Sequence, residues 1–329
     1  MKKKRIYQIY LLGILVVLSG PAFAAQTPDN ILKAIVKIKA NIPKDAATVQ
    51  ILGTEREGNG VIIDKRGHIL TIGYLILEAE TIEVTKANGD QVKADFVAYD
   101  YQTGFGIIRA AEPLFITPLQ LGQSLRLKTG DPVLIAGFGG TEAVLGSRVV
   151  SRKEFAGYWE YLLDDAIYTS PPYPNYGGAA LIDRDGQLLG IGSIFTRINV
   201  EGLGVIPCNM SVPIDLLKPI LTDLINTGRS SAPPQPWLGI HADEAHGRVF
   251  IIRVTPEGPA AKAGIKAGDV VVAVNQKPVK GLAQFFRQVW ASGPAGVKVK
   301  LSILQETQVR EISVSTADRY RFLKVSRQR

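Results

Sequence analysis

A hydroxyl becomes a useful nucleophile when a base stands beside it and a carboxylate holds that base in place. This 329-residue chain has few residues from which to build such a set, with three histidines and one cysteine. His241 and His246 lie late in the chain, while His68 follows the turn Asp64-Lys65-Arg66-Gly67, where an exposed polar side chain is the expected occupant. The most chemistry-like turn is Tyr173-Pro174-Asn175-Tyr176-Gly177-Gly178-Ala179-Ala180-Leu181, a hydroxyl-bearing residue followed by two glycines and two small residues. Tyrosine is a rare nucleophile, with an unperturbed pKa near ~10, and no base or metal-binding set stands beside Tyr176 in the sequence. No cofactor is expected. Cys208 has no partner for a disulfide, so a buried thiol is its default role.

The elements around that turn read as β. Ala34 to Ala40 alternates apolar residues with Lys37 and Lys39. Val61-Ile62-Ile63 and Ile69-Leu70-Thr71 flank the Asp64–Gly67 turn, and Asn88-Gly89 separates Ile82–Thr85 from Val92–Val97. Further short runs at Gly106–Ile108, Val133–Gly137, Ser147–Val150, Leu181-Ile182 and Leu188–Ile191 predict an all-β barrel or sandwich. A helix from Ile214 to about Ile225, started by Pro213, closes this unit. Residues 226–236 are Pro- and Ser-rich and read as a linker. Beyond them come short strands, helices at Ala260–Ala263 and Leu282–Ala291, and strands at Val297–Leu304 and Val309–Val314.

The N-terminus has the pattern of a secretory signal over 1–24: basic Lys2 to Arg5, apolar Ile9 to Leu18, and Ala22-Phe23-Ala24 as the cleavage site. That predicts a periplasmic or secreted protein. The formal charge of +8 is concentrated at the two ends. Lys2 to Arg5 lie in the signal, and Arg319, Arg321, Lys324, Arg327 and Arg329 lie in a basic tail over 318–329, expected to be solvated and frayed. The body between is near neutral, which excludes a nucleic-acid-binding surface.

Gly58-Asn59-Gly60-Val61-Ile62-Ile63-Asp64, Gly67-His68-Ile69-Leu70-Thr71 and the Tyr173–Leu181 turn together resemble the HtrA (Deg) branch of the chymotrypsin-fold serine proteases. Members read Thr-Asn-x-His-Val-Val where this chain has Thr71-Ile72-Gly73-Tyr74-Leu75-Ile76. They read Ser-Asp-Ile-Ala-Leu-Ile where it has Thr103-Gly104-Phe105-Gly106-Ile107-Ile108, and Gly-Asn-Ser-Gly-Gly-Ala-Leu at the glycine turn. Met210-Ser211-Val212-Pro213 matches the family's Phe-Ala-Ile-Pro before the closing helix. The resemblance puts Tyr74, Gly104 and Tyr176 at the base, aspartate and nucleophile positions. It also puts Pro174, which has no N–H, at an oxyanion-hole donor position, and losing one such donor typically costs ~10²–10³ in rate. Tyr74 and Tyr176 are then expected to face each other and fill the cleft. The implied protein is a degenerate member and not an enzyme. The rivals are a peptidase with relocated machinery, for instance a Ser–Lys pair using Ser170 or Ser211, and a holdase chaperone.

The second unit resembles the family's PDZ modules through Trp237-Leu238-Gly239-Ile240 and the run Pro259-Ala260-Ala261-Lys262-Ala263-Gly264 to Val271. The resemblance implies that successive N–H groups at the first motif hold a peptide's terminal carboxylate and that the peptide adds as a strand beside Ile240 to Ala242. Leu282, Phe286 and Val289 would line the pocket, with Phe285 packed inward. The expected fold is mainly β: a chymotrypsin-like double barrel over 25–225, then a partly open α+β PDZ barrel over 237–317. The expected partners are peptide segments or C-termini of envelope proteins, and an active HtrA-type protease that this chain would regulate. Trimers in the family are held through N-terminal aromatics, and Gln26 to Asp45 has none, so the oligomeric state is left open.

Overall fold

The computed structural model describes residues 27–324; the signal-like segment and the last residues of the basic tail lie outside the described residues. Helix α1 (Pro28–Lys33), N-capped by Thr27, leads into β1 (Ile35–Asn41). Its alternation works as the sequence predicts: Ile38 and Ala40 are buried, while Lys37 and Lys39 pair with Glu57 and Glu55. After α2 (Val49–Leu52) come β2 (Glu55–Ile62), β3 (His68–Ile72), β4 (Thr81–Thr85), β5 (Gln91–Tyr99) and β6 (Phe105–Ala110). They close a barrel in the order β1-β2-β3-β6-β5-β4. The Asn88-Gly89 turn joins β4 to β5, with Gly89 at φ +90, a conformation that glycine adopts without strain.

The second barrel uses β7 (Pro132–Ala136), β8 (Val144–Gly157), β9 (Tyr161–Ser170), β10 (Ala180–Ile182), β11 (Leu188–Val200) and β12 (Gly204–Pro213). Its order is β10-β11-β12-β9-β8-β7, and it too is closed, so neither barrel leaves an unpaired edge. One continuous apolar cluster joins the two barrels, from Ile35 through Phe105 and Tyr161 to Leu224.

The closing helix is broken. A single 3₁₀ turn covers Ile214–Leu216, and α3 begins only at Leu221, ending at Thr227 with Gly228 in the left-handed conformation. Pro219 accounts for the break, since it disfavours helix at the residue before it and offers no N–H. The linker is also less free than its composition suggests: Asn226 and Thr227 belong to α3, and Gln235 N donates to the Tyr101 hydroxyl.

The last sheet contains β13 (Ile240–Ala245), β14 (Arg248–Val254), β15 (Val270–Val274), β16 (Lys277–Pro278), β17 (Lys298–Gln305) and β18 (Gln308–Ser315). Helix α4 (Pro259–Lys262) and helix α5 (Leu282–Trp290) complete it, with Phe285, Leu301, Ile303 and Val314 in a separate core.

The described part of the tail is not frayed. Asp318 caps a 3₁₀ turn over Arg319–Phe322, the Tyr320 hydroxyl donates to Tyr99 O, and Phe322 packs on Trp237 with ring centroids 4.7 Å apart. Lys324 N donates to the buried Glu78. The aromatic residues between the arginines find partners on both the first barrel and the PDZ unit, which a reading of the tail's charge alone misses.

Candidate functional site

The glycine turn is held by one residue of the β2 strand. Asn59 donates from its side-chain amide to Asn175 O (2.7 Å) and Gly177 O (3.0 Å), and from its backbone N–H to Gly177 O (2.8 Å). Its own carbonyl accepts from the buried Thr71 hydroxyl. Gly178 sits at φ +75, and a Cβ there would lie 1.9 Å from Asn59 O, so only glycine fits.

Tyr74, Gly104 and Tyr176 are brought together. Tyr74 stands on the 3₁₀ turn Gly73–Leu75 after β3, and Gly73 N donates to Gly104 O (2.7 Å). The Tyr74 hydroxyl donates to Ser193 O (2.8 Å) and lies 2.8 Å from where a Cβ on Gly177 would be. Burial, with the nearby Tyr176 phenol, pushes the Tyr74 hydroxyl well above the ordinary tyrosine range, so it stays protonated and acts as a donor. Gly104 is at φ +81, and the space beside it is taken by Tyr161, whose hydroxyl donates to Thr103 O (2.6 Å). Tyr176 is half-buried and Pro174 exposed at the rim.

His68 differs from expectation. It is 4% exposed, and Nδ1 meets Asp64 Oδ2 at 2.7 Å, so it pairs locally across its own turn. The strand β3 turns it inward, and its side-chain partner is Asp64. Cys208 is buried as expected, which raises its thiol pKa to about 11.

In the PDZ unit, Trp237 is bonded in both directions to Ala317, and Gly239 is at φ +79. The N–H groups of Leu238, Gly239 and Ile240 converge on one carboxylate, that of Glu160 in the turn between β8 and β9 (2.9, 2.7 and 2.9 Å). Burial raises the Glu160 pKa to about 7 in spite of these donors and of Arg319 nearby. Leu282, Phe286 and Val289 do not line an open pocket: they are as buried as Phe285, with Ala156 and Leu162 of the same hairpin packed against their cluster. Glu160 was the site residue that sequence reasoning missed. Its signal was a tight turn, Tyr158-Trp159-Glu160, with no Gly, Asn or Asp to form it.

A family model for the trypsin-like peptidase domain matches residues 58–191, and one for the PDZ domain matches residues 236–316. A trypsin-like peptidase domain followed by a PDZ domain makes the chain HtrA-like. It is 29% identical over 266 residues to the periplasmic serine endoprotease DegP of Salmonella typhimurium, covering 76% of this chain and 54% of the relative. It is 27% identical over 277 residues to the periplasmic pH-dependent serine endoprotease DegQ of Escherichia coli, covering 78% and 58%. The HtrA-like chain thus spans little more than half the length of these curated relatives. Among solved structures, HtrA-type protease AlgW with a tripeptide matches with a TM-score of 0.52 at 21% identity, over 89% of this chain and 97% of that one. The serine endoprotease from Yersinia pestis matches with a TM-score of 0.52 at 22% identity, over 89% and 98%. These two show a shared fold. The relatives' names correct one expectation. They are serine endoproteases, which points to protease activity and overturns the reading of this chain as no enzyme.

Proposed function

We propose that this HtrA-like protein works in the periplasm as a peptide-handling member of the serine endoprotease family, with its PDZ domain receiving C-termini or extended segments of envelope proteins. The observation that carries the reading is the convergence of the Leu238, Gly239 and Ile240 N–H groups on a single carboxylate, beside β13, the edge strand of its sheet. Consecutive N–H groups around a left-handed glycine make an anion-binding concavity, and an adjacent strand edge supplies main-chain pairing. Trp237, Leu238, Gly239 and Ile240 form the receptor, and Leu282, Phe286 and Val289 form the apolar floor beneath it. Peptide-bond hydrolysis comes to this reading from the relatives' names. In this chain it would draw on groups other than a Ser–His–Asp set at positions 74, 104 and 176.

An NMR titration of the full chain with millimolar peptides tests the receptor. Peptides with a free C-terminus should shift the Leu238, Gly239 and Ile240 amides, amidated ones should not, and Gly239→Val should abolish the response. Equal binding of amidated peptides, or binding that survives Gly239→Val, would transfer the reading to a holdase that grips unfolded chains. Cleavage of unfolded casein, compared between the wild-type chain and Tyr176→Phe, tests the cleft. Tyr176 has no base beside it, so the rate should be the same in both. Loss of cleavage in the variant would make Tyr176 the nucleophile.

A further inference from the structure

The PDZ groove is occupied by the chain itself. At the tip of the β8–β9 hairpin, Tyr158 O accepts from Ala242 N of β13 (2.8 Å), and two residues later the Glu160 carboxylate takes all three loop N–H groups. Main-chain pairing to β13 followed by a carboxylate in the loop is the register of an extended peptide ending at that site. The opposite wall joins in. Arg287 of α5 is paired with both Glu154 of β8 and Asp164 of β9, Ala156 and Leu162 pack on the PDZ core, and Tyr158 lies over His241 with centroids 5.8 Å apart. From the tail, Arg319 donates to Trp159 O. Glu160 itself is 4% exposed and held at φ +55, a left-handed conformation that disfavours a glutamate. A glycine would make this turn without strain; what the glutamate adds is its carboxylate.

We propose that the β8–β9 hairpin is a resident internal ligand of the PDZ domain, and that its partners are peptides whose free C-terminal carboxylate exchanges with that of Glu160 for the Leu238–Ile240 N–H groups. This rests on the reading of the loop as a peptide-carboxylate receptor. Exchange is competitive and intramolecular on one side. A tethered occupant acts at an effective concentration of about millimolar, and a groove that is free one time in a hundred weakens every external ligand about a hundredfold. The apolar floor of Leu282, Phe286 and Val289 favours an apolar last residue on the incoming chain.

The test uses the full chain and a fluorescent peptide, Phe-Ala-Gly-Tyr-Trp-Val, which copies Phe155 to Trp159 and ends in valine in place of Glu160, with a free carboxylate or as its amide. Glu160→Gly removes the competitor and accepts φ +55. Arg287→Ala loosens the hairpin from the other wall and leaves the loop intact. Both variants should bind the free-acid peptide at least tenfold more tightly than the wild-type chain, with no gain for the amide. In the wild-type chain without peptide, hydrogen exchange at Leu238, Gly239 and Ile240 should be slow. Equal acid-peptide affinity in wild type and both variants overturns the internal ligand and leaves the receptor standing. No binding of the acid peptide by any of the three proteins overturns the receptor, and with it this inference. An equal gain for acid and amide shows that the hairpin shields apolar surface and that no carboxylate exchange occurs.

Discussion

Replacing Arg56 with methionine should destabilise the first barrel by about 3–5 kcal/mol, the usual cost of leaving a buried charge uncompensated. Arg56 is 5% exposed. Its guanidinium donates to Tyr74 O (2.8 Å), Leu77 O (2.9 Å), Gly53 O (3.3 Å) and the Thr48 hydroxyl (2.7 Å), and its charge faces Glu78. Burial lowers its pKa to about 10, still far enough above neutrality for the cation to persist. Glu78, 3% exposed, accepts from Ala47 N, Thr48 N, the Thr48 hydroxyl and Lys324 N. Methionine fills most of the arginine's volume, so cavity formation is a small part of the loss. What remains is a set of carbonyls without donors and a carboxylate without its cation. At ~2–4 °C per kcal/mol for a domain of this size, Tm should fall by roughly 6–20 °C. Differential scanning calorimetry reads this directly. Arg56→Met with Glu78→Gln should lose less than the sum of the two single changes, by about 0.5–3 kcal/mol, because the orphaned charge is gone. A Tm drop under about 2 °C, or strict additivity, would refute the argument that Arg56, linked to Glu78 through the Thr48 hydroxyl, holds the turn bearing Tyr74.

Two further outcomes follow from geometry already described. Gly178→Ala should cost about 3 kcal/mol or more in urea unfolding, since φ +75 and a Cβ 1.9 Å from Asn59 O add strain to overlap; a loss below about 1 kcal/mol would mean that Asn59 does not staple the turn. Glu160 titrates near 4.5 when free and near 7 when docked, so the docked hairpin binds the extra proton between those values and loses stability as pH rises through them, by about 3 kcal/mol in all. Arg319 faces Glu160, and His241, pushed down to about 4 by burial and by Arg253 and Arg319, stays neutral across the window. Corrected for the intrinsic exchange rate, protection of the Leu238, Gly239 and Ile240 amides should therefore fall from pH 5 to pH 7.5 in the wild-type chain and stay level in Glu160→Gln, and the opposite slope or an identical slope in the variant would sink the assignment.

The barrels were legible because their signals are local. Alternation in Ala34–Ala40, turns at Gly67 and Gly89, and the small residues after Tyr176 each report on their own neighbourhood, and both barrels close from such pieces. The break at Pro219 was equally local and readable. What escaped depends on partners far away in the chain. Nothing near Tyr320 announces Tyr99 or Tyr101, and nothing near Glu160 announces Leu238. His68 misled because a residue beside an exposed turn can still point inward when the strand begins at once. The floor residues Leu282, Phe286 and Val289 were rightly placed on one helix, but whether a groove above them is open or filled is decided by another domain.

The hairpin tip joins the two candidate sites through consecutive residues. Glu160 enters the PDZ loop, while Tyr161, 3% exposed, points the other way and bonds Thr103 O beside Gly104, where the resemblance puts the aspartate. Neighbouring side chains at a strand end face opposite sides, so one residue cannot move far without turning the next. An incoming carboxylate that displaces Glu160 has two routes. If the turn opens only over Tyr158–Glu160, the bonds lost are those to Ala242 and to the three loop amides, which the peptide replaces, and the one from Arg319 to Trp159 O. If Tyr161 leaves as well, a buried ring is exposed and the space beside Gly104 empties, with nothing from the peptide to compensate. The first route is favoured on energy alone. Tyr161 is then the hinge, and the cleft around Tyr74 and Tyr176 keeps its shape while the PDZ groove exchanges its occupant.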